Sequence, residues 1–303
     1  YLRNTDNETE VFDFFNENAQ RDSGNGRRSI RYEFEERDML TTQVRGEHYL
    51  GSDTRDALPF LDKVLGFVPE ETRINWFYSN SEARTDIPNR FLVGYRTTNT
   101  PVSGEVLTAT VLEQTSAGNL RFTDLDDEVE NYGWSGMVPL TFGNNYVEVS
   151  GGWDHRQKAR NYRQDGFTFG YLTATGDLLD QPLDVIFGND AVLADIRDPD
   201  PTNPDPNARV FVNNFRLQED SDAASYLAAT MTDAGWGKVD WTWNETIRVA
   251  AGARWEDYRQ VALPWNPIAF SGTQVPTDPE VLANLVFAED EWYPALGITY
   301  IGS

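Results

Sequence analysis

The sequence predicts an all-β protein built from long antiparallel strands, because one pattern recurs along the chain. In TIRVAAGARWEDYR (246–259), Ile247, Val249 and Ala251 fall on one parity, and Arg248 and Arg254 fall on the other. The same alternation appears in LTTQVRGEHYL (40–50), RINWFYSNS (73–81), NYGWSGMVPLTF (131–142), YVEVSGGWDHRQKAR (146–160) and EWYPALGITY (291–300). Period-two alternation over many segments that are separated by turn residues indicates antiparallel β structure.

About eight strands are predicted from this pattern. Their ranges are 1–15, 29–50, 73–98, 120–142, 146–172, 209–243, 246–262 and 289–301. The part from Tyr226 to Trp243 alternates less cleanly, so the sequence does not fix which of its residues share a face.

Short and long connections alternate along the chain. The triplets GNN (143–145) and NET (244–246) are typical of tight hairpin turns, whereas 99–119, 173–208 and 263–288 are long and polar. If every connection is a hairpin, the short turns emerge at one end of the sheet and the long loops at the other. Residues 51–72 break this rule, and LPFLDKVLGF within them predicts a short helix.

Composition excludes several classes of protein. The 303 residues include 49 Asp and Glu against 25 Lys and Arg, and the net charge of −24 disfavours binding to nucleic acid. The absence of Cys excludes a thiol nucleophile, a cysteine metal site and disulfide bonds. No apolar run is long enough for a membrane helix. Because the chain starts at Tyr1 without a signal peptide, we expect a mature, truncated or partial chain.

Two environments fit the apolar faces: the core of a soluble β protein, or the lipid around a membrane barrel. The apolar stretches are short and often end in an aromatic residue, as at Tyr78, Trp153, Trp255 and Trp292. Alternation then continues into charged segments such as WEDYRQ. A barrel strand crosses the membrane in about 9–11 residues between aromatic girdles, with turns at one end and long loops at the other. The pattern therefore favours an antiparallel transmembrane β-barrel segment.

Each side chain can then be assigned to one face of the predicted barrel wall. The outward, lipid-facing set is Leu40, Val44, Val147, Val149, Val249 and Ala251. The inward set is Arg45, Glu47, Glu148, Arg156, Arg248 and Arg254.

Four segments carry a resemblance to a known family. RVAAGARWEDYRQ (248–260) resembles a late barrel strand of TonB-dependent outer-membrane receptors, where G-x-R-x-E follows an alternating run, and EWYPALGITY (291–300) resembles the next strand. ERDMLTTQVRGEHYL (36–50) and INWFYSNSEARTDIPNRFLVGY (74–95) are similar to an earlier hairpin of that barrel. The resemblance covers most of residues 30–300.

The resemblance implies a receptor in the outer membrane of a Gram-negative bacterium rather than an enzyme, with no cofactor. The family's plug domain, its TonB-contacting box and its final aromatic residue are not visible, and its barrel has about 22 strands. We therefore expect residues 1–303 to be a partial barrel domain without a plug, forming an open, curved sheet that other strands complete. The implied partners are a TonB-type energising protein, acting through an N-terminal region not seen here, outer-membrane lipid, and a small ligand at the extracellular loops. That ligand is a scarce one such as a ferric siderophore or an oligosaccharide, and its identity does not follow from the sequence, because haem and cobalamin receptors share the strand pattern. The loops lack a haem-binding His motif, which disfavours haem slightly.

The candidate ligand-binding residues are Arg156, Lys158 and Arg160, on the inward parity, where they would contact an anionic ligand or pair with inward acids. Among other chemical groups, His48 and His155 are each expected on the lipid face near a strand end, where they suit a membrane interface better than a metal site. The run DLDDEVE (124–130) suits a solvated strand extension. Asp198, Asp200 and Asp205 fit an acidic loop better than a Ca²⁺ site. A soluble β-rich glycan-binding protein or hydrolase, with Trp stacking on sugars, remains the alternative.

Overall fold

The computed structural model describes residues 1–15, 20–51, 54, 68–174, 176–193, 197–199, 209–211, 213–220, 225–266, 276 and 278–301. Its strands are β1 (Leu2–Phe14), β2 (Asn25–Tyr49), β3 (Arg73–Asn99), β4 (Val106–Val111), β5 (Gly118–Phe142), β6 (Asn145–Tyr171), β7 (Arg197–Pro199), β8 (Arg209–Phe211), β9 (Phe215–Glu219), β10 (Ser225–Trp243), β11 (Ile247–Trp265) and β12 (Phe287–Tyr300).

Helical structure in this part of the chain is confined to short segments. Two 3₁₀ turns cover Arg21–Ser23 and Leu178–Asp180, and the α-helices are α1 (Leu183–Ile186), α2 (Asn189–Val192) and α3 (Pro279–Leu285). Among the described residues, no helix has the length and apolar character needed to cross a membrane.

Ten of the described strands form one antiparallel sheet, so the predicted fold class is confirmed. The order is β1-β2-β3-β5-β6-β10-β11-β12, with β4 paired to β3 and β9 paired to β6. Strands β7 and β8 form a separate pair. Within the described residues, β1 and β12 are the two ends of this order and do not pair with each other. The sheet is therefore open, as the sequence predicts.

The predicted strands match the observed ones closely, with three differences, one of which is that β7 lies within 173–208, a connection predicted to be a loop, and pairs with β8. The predicted strand 209–243 is divided into β8, β9 and β10, and β9 and β10 flank successive parts of β6. Strand β4 lies in a region predicted to be a loop. It pairs with the last residues of β3, on the same edge of β3 and directly beyond the part that pairs with β5.

The tight turns are placed as predicted, at one end of the sheet. Register pairs Phe142 with Asn145 and Trp243 with Ile247. Gly143 (φ 58°), Asn244 (φ 48°) and Glu245 (φ 59°) have positive φ, which tight hairpin turns commonly require. The chain from Tyr49 to Arg73 connects β2 and β3 at this same end, and the helix predicted at 58–67 lies outside the described residues. We call this the turn end, and the opposite end the loop end.

A small hydrophobic core lies at the loop end. Val93, Val111, Ala117, Tyr171 and Ile186 are fully or almost fully buried there. The Tyr171 hydroxyl donates a hydrogen bond to the carbonyl oxygen of Ile186 (2.6 Å), which fixes α1 to the end of β6. Residues 172–174 and 176–193 therefore fold onto the sheet as a compact cover.

The turn between β10 and β11 generates a stability prediction. A residue with a Cβ pays roughly 1 kcal/mol or more in the left-handed region that Glu245 occupies. We expect Glu245→Gly to be more stable than Glu245→Ala by about 0.5–1 kcal/mol, as measured by urea unfolding of the refolded protein. Both variants lose the same carboxylate, so an equal midpoint for the two would contradict this account of the turn.

Candidate functional site

An aromatic row crosses the sheet at one level. Register places Trp76 opposite Trp134, and Trp134 opposite Trp153. On the other side of β10, Trp255 lies opposite Trp292. Gly235 of β10 lies between the two groups, in register with both Trp153 and Trp255. Directly paired residues of an antiparallel sheet lie on the same face, about 5 Å apart. Tryptophans from β3, β5, β6, β11 and β12 therefore form one line across the sheet, in which Gly235 occupies the position of β10, and we call this line the Trp row.

The Trp row differs in part from the predicted girdle. Trp153, Trp255 and Trp292 lie in it as the sequence predicts. Tyr78 does not, because it is two residues farther from the turn end, in register with Tyr132. Trp76 and Trp134 were missed as members of the row because only the pairing of strands shows that they lie level with the others.

Between the Trp row and the turn end, the same face is apolar, and we call this region the apolar band. Its two middle rows are Val138, Val149, Val239, Ala251, Leu296 and Leu140, Val147, Trp241, Val249, Ile298. A second aromatic level closes the band at the turns, formed by Phe142, Trp243 and Tyr300. Leu296 (73%) and Ile298 (72%) are largely exposed. The band is thus an uncovered apolar surface bounded by aromatic residues on two sides.

The height of the band follows from strand geometry. Ile247 and Trp255 mark its two limits on β11 and are eight residues apart. At about 3.4 Å per residue this is about 27 Å along the strand, or about 20 Å along the normal for a strand tilt of 35–45°. Barrels of the outer-membrane type have an outward apolar band about 25 Å tall between aromatic girdles.

The opposite face carries ion pairs at the same level. The Arg248 guanidinium donates from Nε to Asp240 Oδ1 (2.7 Å), and Lys238 Nζ lies 3.0 Å from Asp240 Oδ2. Farther from the turns, Arg254 donates to Asp154 Oδ1 (3.2 Å) and to Glu256 Oε1 (2.5 Å). The sheet is therefore amphipathic across its thickness, with exposed aliphatic side chains on one side and paired charges on the other.

The predicted division of residues between the two faces is confirmed by register. Predicted outward residues of β6 and β11 lie on one face, because they belong to one row of paired residues, Val138–Val149–Val239–Ala251. The predicted outward residue Val44 of β2 lies on the same face, because it belongs to the parallel row Val44–Tyr78–Tyr132–His155. The predicted inward residues Arg45, Glu47, Glu148, Arg156, Arg248 and Arg254 occupy the other parity of these strands.

The three candidate ligand-binding residues lie together on the charged face of β6. Arg160 binds Asp127 in a bidentate pair, from Nε to Oδ1 (2.7 Å) and from Nη2 to Oδ2 (2.5 Å). Lys158 Nζ lies 3.3 Å from the same carboxylate. Arg156 is exposed and has no hydrogen bond or ion pair with a described residue. Two of the three cations are thus held by an acid on the same face, and one is available.

The other chemical candidates have local partners. Trp76 Nε1 donates to His48 Nε2 (2.9 Å), and His155 Nδ1 lies 2.8 Å from Asp233 Oδ1, although His155 is in mid-strand rather than near a strand end. The run 124–130 is part of β5, as its interpretation as a strand extension predicts. Asp198 lies in β7, and Asp200 and Asp205 lie outside the described residues. The described residues hold no cluster of three or more metal-binding side chains.

One anchor between loop and sheet was missed by the sequence analysis. Asp220 is almost buried and accepts hydrogen bonds from Asn119 Nδ2 (2.8 Å), Arg121 Nε (3.1 Å) and Arg121 Nη2 (2.9 Å). It joins the end of β9 to the start of β5. The sequence offers no signal for this contact, because the two segments are 99 residues apart.

Comparison with known proteins gives resemblances in structure alone. No family model and no curated protein matches the chain. The similar solved structures include the unliganded ferric citrate transporter FecA (TM-score 0.35), the ferric-catecholate import receptor Fiu from E. coli K12 (0.33) and the siderophore receptor PiuA from Acinetobacter baumannii (0.32), each at 10% identity. The alignments cover 98%, 91% and 98% of this chain, and 40%, 44% and 45% of those proteins. The chain thus spans less than half the length of each.

The bidentate pair on the charged face generates a pH prediction. Arg160, and to a smaller degree Lys158, hold the pKa of Asp127 below its usual range. A carboxylate with a lowered pKa stabilises the folded protein above its unfolded value of about 3.9, and this contribution is lost as pH falls through the folded value. Arg160→Gln should cost about 1 kcal/mol at neutral pH, a modest figure because the Arg160 side chain is 34% exposed.

The measurement is the urea midpoint at pH 6 and at pH 3. We expect the difference between Arg160→Gln and the unmodified protein to shrink at pH 3. Arg156→Gln, from the same strand and face, should leave the acid dependence unchanged. A constant difference at both pH values would show that Asp127 is not the group involved.

Proposed function

We propose that this chain forms part of the wall of an outer-membrane β-barrel, and that the barrel is a TonB-dependent receptor that takes up a scarce ligand. The single observation that carries the proposal is the apolar band between two aromatic levels, with ion pairs behind it at the same height. A bilayer on one face and water on the other is the environment in which both sets of side chains are favourably placed.

Exposed aliphatic residues argue against a soluble protein. Soluble monomers rarely expose a contiguous apolar patch larger than a few hundred square ångströms. Here the uncovered rows cross β5, β6, β10, β11 and β12 without interruption. In a soluble sandwich a second layer would cover them, whereas the described part of the chain packs its cover, residues 172–193, only at the loop end.

The charged face fits a wide, water-filled or plugged lumen. A narrow barrel of eight strands is filled by side chains, and burying Arg248, Arg254, Asp240 and Asp154 there would cost more free energy than their pairing returns. In our proposal, additional strands widen the barrel, and the unpaired edges of β1 and β12 bond to them, because unpaired backbone groups are not tolerated in lipid.

The assignment to TonB-dependent receptors rests on the four segments that resemble that family, and it adds a plug domain and a TonB-type energising partner to the proposal. The loop end would then face the outside of the cell. The alternative, a soluble glycan-binding protein, requires the Trp row to lie in a water-filled groove rather than at a membrane interface. Detergent dependence distinguishes the two, because a soluble protein stays monomeric without it.

Depth within the bilayer gives a sharper test. Val149 lies in the middle of the apolar band, and Ser150 is its neighbour on the charged face. Val149→Arg should cost roughly 2–4 kcal/mol in a refolding titration into lipid vesicles, and Val249→Arg, nearer the turns, should cost less.

The matched control is Ser150→Arg, which adds the same side chain at the same height on the other face. We expect it to cost clearly less than Val149→Arg. Equal costs for the two substitutions would be incompatible with a lipid environment on the Val149 side.

For the ligand, we propose that Arg156, assisted by Lys158 and Arg160, contacts an anionic group such as that of a ferric siderophore. What supports this is the exposed guanidinium of Arg156 beside two cations already neutralised in part by Asp127. Arg156→Gln should weaken the binding of ferric citrate or a ferric catecholate by about three- to tenfold.

Arg259→Gln serves as the control, because Arg259 lies on the apolar-band face and pairs with Asp257 (2.7 Å). We expect it to bind these complexes like the unmodified protein. If Arg156→Gln leaves binding unchanged, the strip formed by Arg156, Lys158 and Arg160 is not part of the ligand site, and the barrel proposal remains intact.

A further inference from the structure

Two adjoining cavities of about 650 and 400 Å³ lie on the Trp-row face, between the Trp row and the loop end. Most of the residues that line the larger cavity have the parity of that face, and each of the others falls between two of them on the same strand. The two cavities share Glu128, Ala159, Ala229 and Val261. They therefore form one depression, which we call the loop-side groove.

One part of the loop-side groove is apolar. Register pairs Ala159 with Ala229, and Ala229 with Val261. In the next row, Leu227 pairs with Leu263, so β6, β10 and β11 present apolar side chains next to one another. Ala159 and Ala229 are exposed, and the three larger side chains are half-buried. A contiguous apolar surface inside a groove is a typical docking place for apolar side chains of a partner.

The other part of the groove is acidic and lies on β3 and β5. Glu82 pairs directly with Glu128 in register, and both side chains are exposed. Neither has a hydrogen bond or an ion pair with a described residue. Like charges directly opposite each other in an antiparallel pair are destabilising. A cation placed between the two carboxylates would relieve this repulsion.

The nearest Arg does not supply that cation. Arg84 lies in the next row and donates from Nη2 to Asp124 Oδ2 (2.8 Å), while its Nε is 3.9 Å from Asp126 Oδ1. Partial burial and the neighbouring Asp124 raise the pKa of Asp126 above its usual value despite Arg84. The acidic part of the groove is thus short of positive charge.

Height and charge argue against lipid as the occupant. In the proposed barrel, Val261 lies six residues beyond Trp255 on β11, about 20 Å along the strand and about 15 Å along the membrane normal. The headgroup zone adds only about 5–7 Å on each side of the hydrocarbon core. Anionic lipid phosphates would also be repelled by Glu82 and Glu128. A cationic protein segment meets neither objection.

We propose that the loop-side groove docks a segment of another protein that carries Lys or Arg close to apolar side chains. The acidic part binds the cations, and the apolar part receives the apolar side chains. In the sheet order, β5 and β11 are three positions apart, which is about 14 Å at 4.8 Å per strand. An extended segment covers this distance in about four residues, so the cations and the apolar residues are separated by that number.

This docking surface is distinct from the strip of Arg156, Lys158 and Arg160, which lies on the charged face. It is also distinct from the contact with a TonB-type protein, which would act through an N-terminal region. The groove does not depend on the receptor assignment, which decides only on which side of a membrane the partner is met.

The test uses the full-length protein that contains this chain, in detergent, and three dye-labelled peptides. KKGSLL has the proposed charge and spacing, EEGSLL reverses the charge, and KKGSSS lacks the apolar residues. Binding is measured by fluorescence anisotropy. We expect KKGSLL to bind about tenfold more tightly than either of the other two peptides.

Substitutions on the two faces locate the binding. The double variant Glu82→Gln/Glu128→Gln should bind KKGSLL about tenfold more weakly, and Glu82→Lys/Glu128→Lys should prefer EEGSLL. Ala229→Arg should abolish binding, because the new side chain fills the apolar part and repels the cations. Ala228→Arg adds the same side chain on the opposite face, and Glu148→Gln removes a carboxylate there, so both should bind like the unmodified protein.

Three outcomes would overturn the proposal, with folding of each variant checked by circular dichroism. The first is that the unmodified protein does not prefer KKGSLL. The second is that Glu82→Lys/Glu128→Lys keeps the original preference, or that Ala228→Arg and Ala229→Arg have equal effects. The third is binding that occurs in detergent but disappears in nanodiscs of phosphatidylethanolamine and phosphatidylglycerol, because the groove would then belong to lipid.

Discussion

The pairing of β5 with β6 is the constraint on which the rest of the structure depends. It runs from Phe142↔Asn145 at the turn to Gly118↔Phe169 at the loop end without a register shift. Because side chains alternate with a period of two, a slip of one residue would exchange the two faces of every strand beyond it. The unbroken register therefore places Trp134 beside Trp153 and, on the opposite face, Asp127 beside Arg160. A two-residue turn at Gly143 and Asn144 fixes where this register begins.

Most of the fold could be predicted from the sequence, because period-two alternation is strong in long strands that present one apolar face. The facing of β10 could not, since Trp236 lies on the charged face while Trp241 and Trp243 lie on the other, so hydrophobicity does not separate the two. Strand β4 was missed because six residues are too few for the pattern to emerge from a polar loop. The candidate strip of Arg156, Lys158 and Arg160 was placed on the correct face, but its partner Asp127 could not be chosen among the acids of 124–130 without the register.

The charged face shows how polar groups are tolerated opposite an apolar surface. Asp240 is almost buried, and it is contacted by Lys238 and Arg248 together. An unpaired carboxylate in that position would cost several kcal/mol, whereas a doubly paired one is compensated in part. Arg254 shows the reverse arrangement, in which one cation is paired with two acids, Asp154 and Glu256. Such pairs do not make the sheet stable by themselves, but they make the amphipathic sheet possible by reducing the desolvation penalty of its polar side.

The loop end differs physically from the turn end, and this explains why the core formed by the described residues lies at the loop end. Trp153 and Tyr171 are eighteen residues apart on β6, about 60 Å along the strand, so Tyr171 and Phe169 lie far beyond any bilayer that contacts the apolar band. In the proposed barrel, lipid would cover the aromatic residues of this face beside the apolar band. At the loop end, aromatic residues of the same face must instead be covered by protein. Residues 172–174 and 176–193 provide that cover. The ring of Phe187 packs edge-on against the ring of Phe169, with 4.9 Å between the ring centroids. At the intervening position, Gly170, a Cβ would overlap the carbonyl oxygen of Gln114, so the segment before β5 approaches β6 closely there. In the proposed barrel, one sheet face therefore has two ways of removing apolar surface from water, lipid and protein, and the position along the strand decides which of them applies.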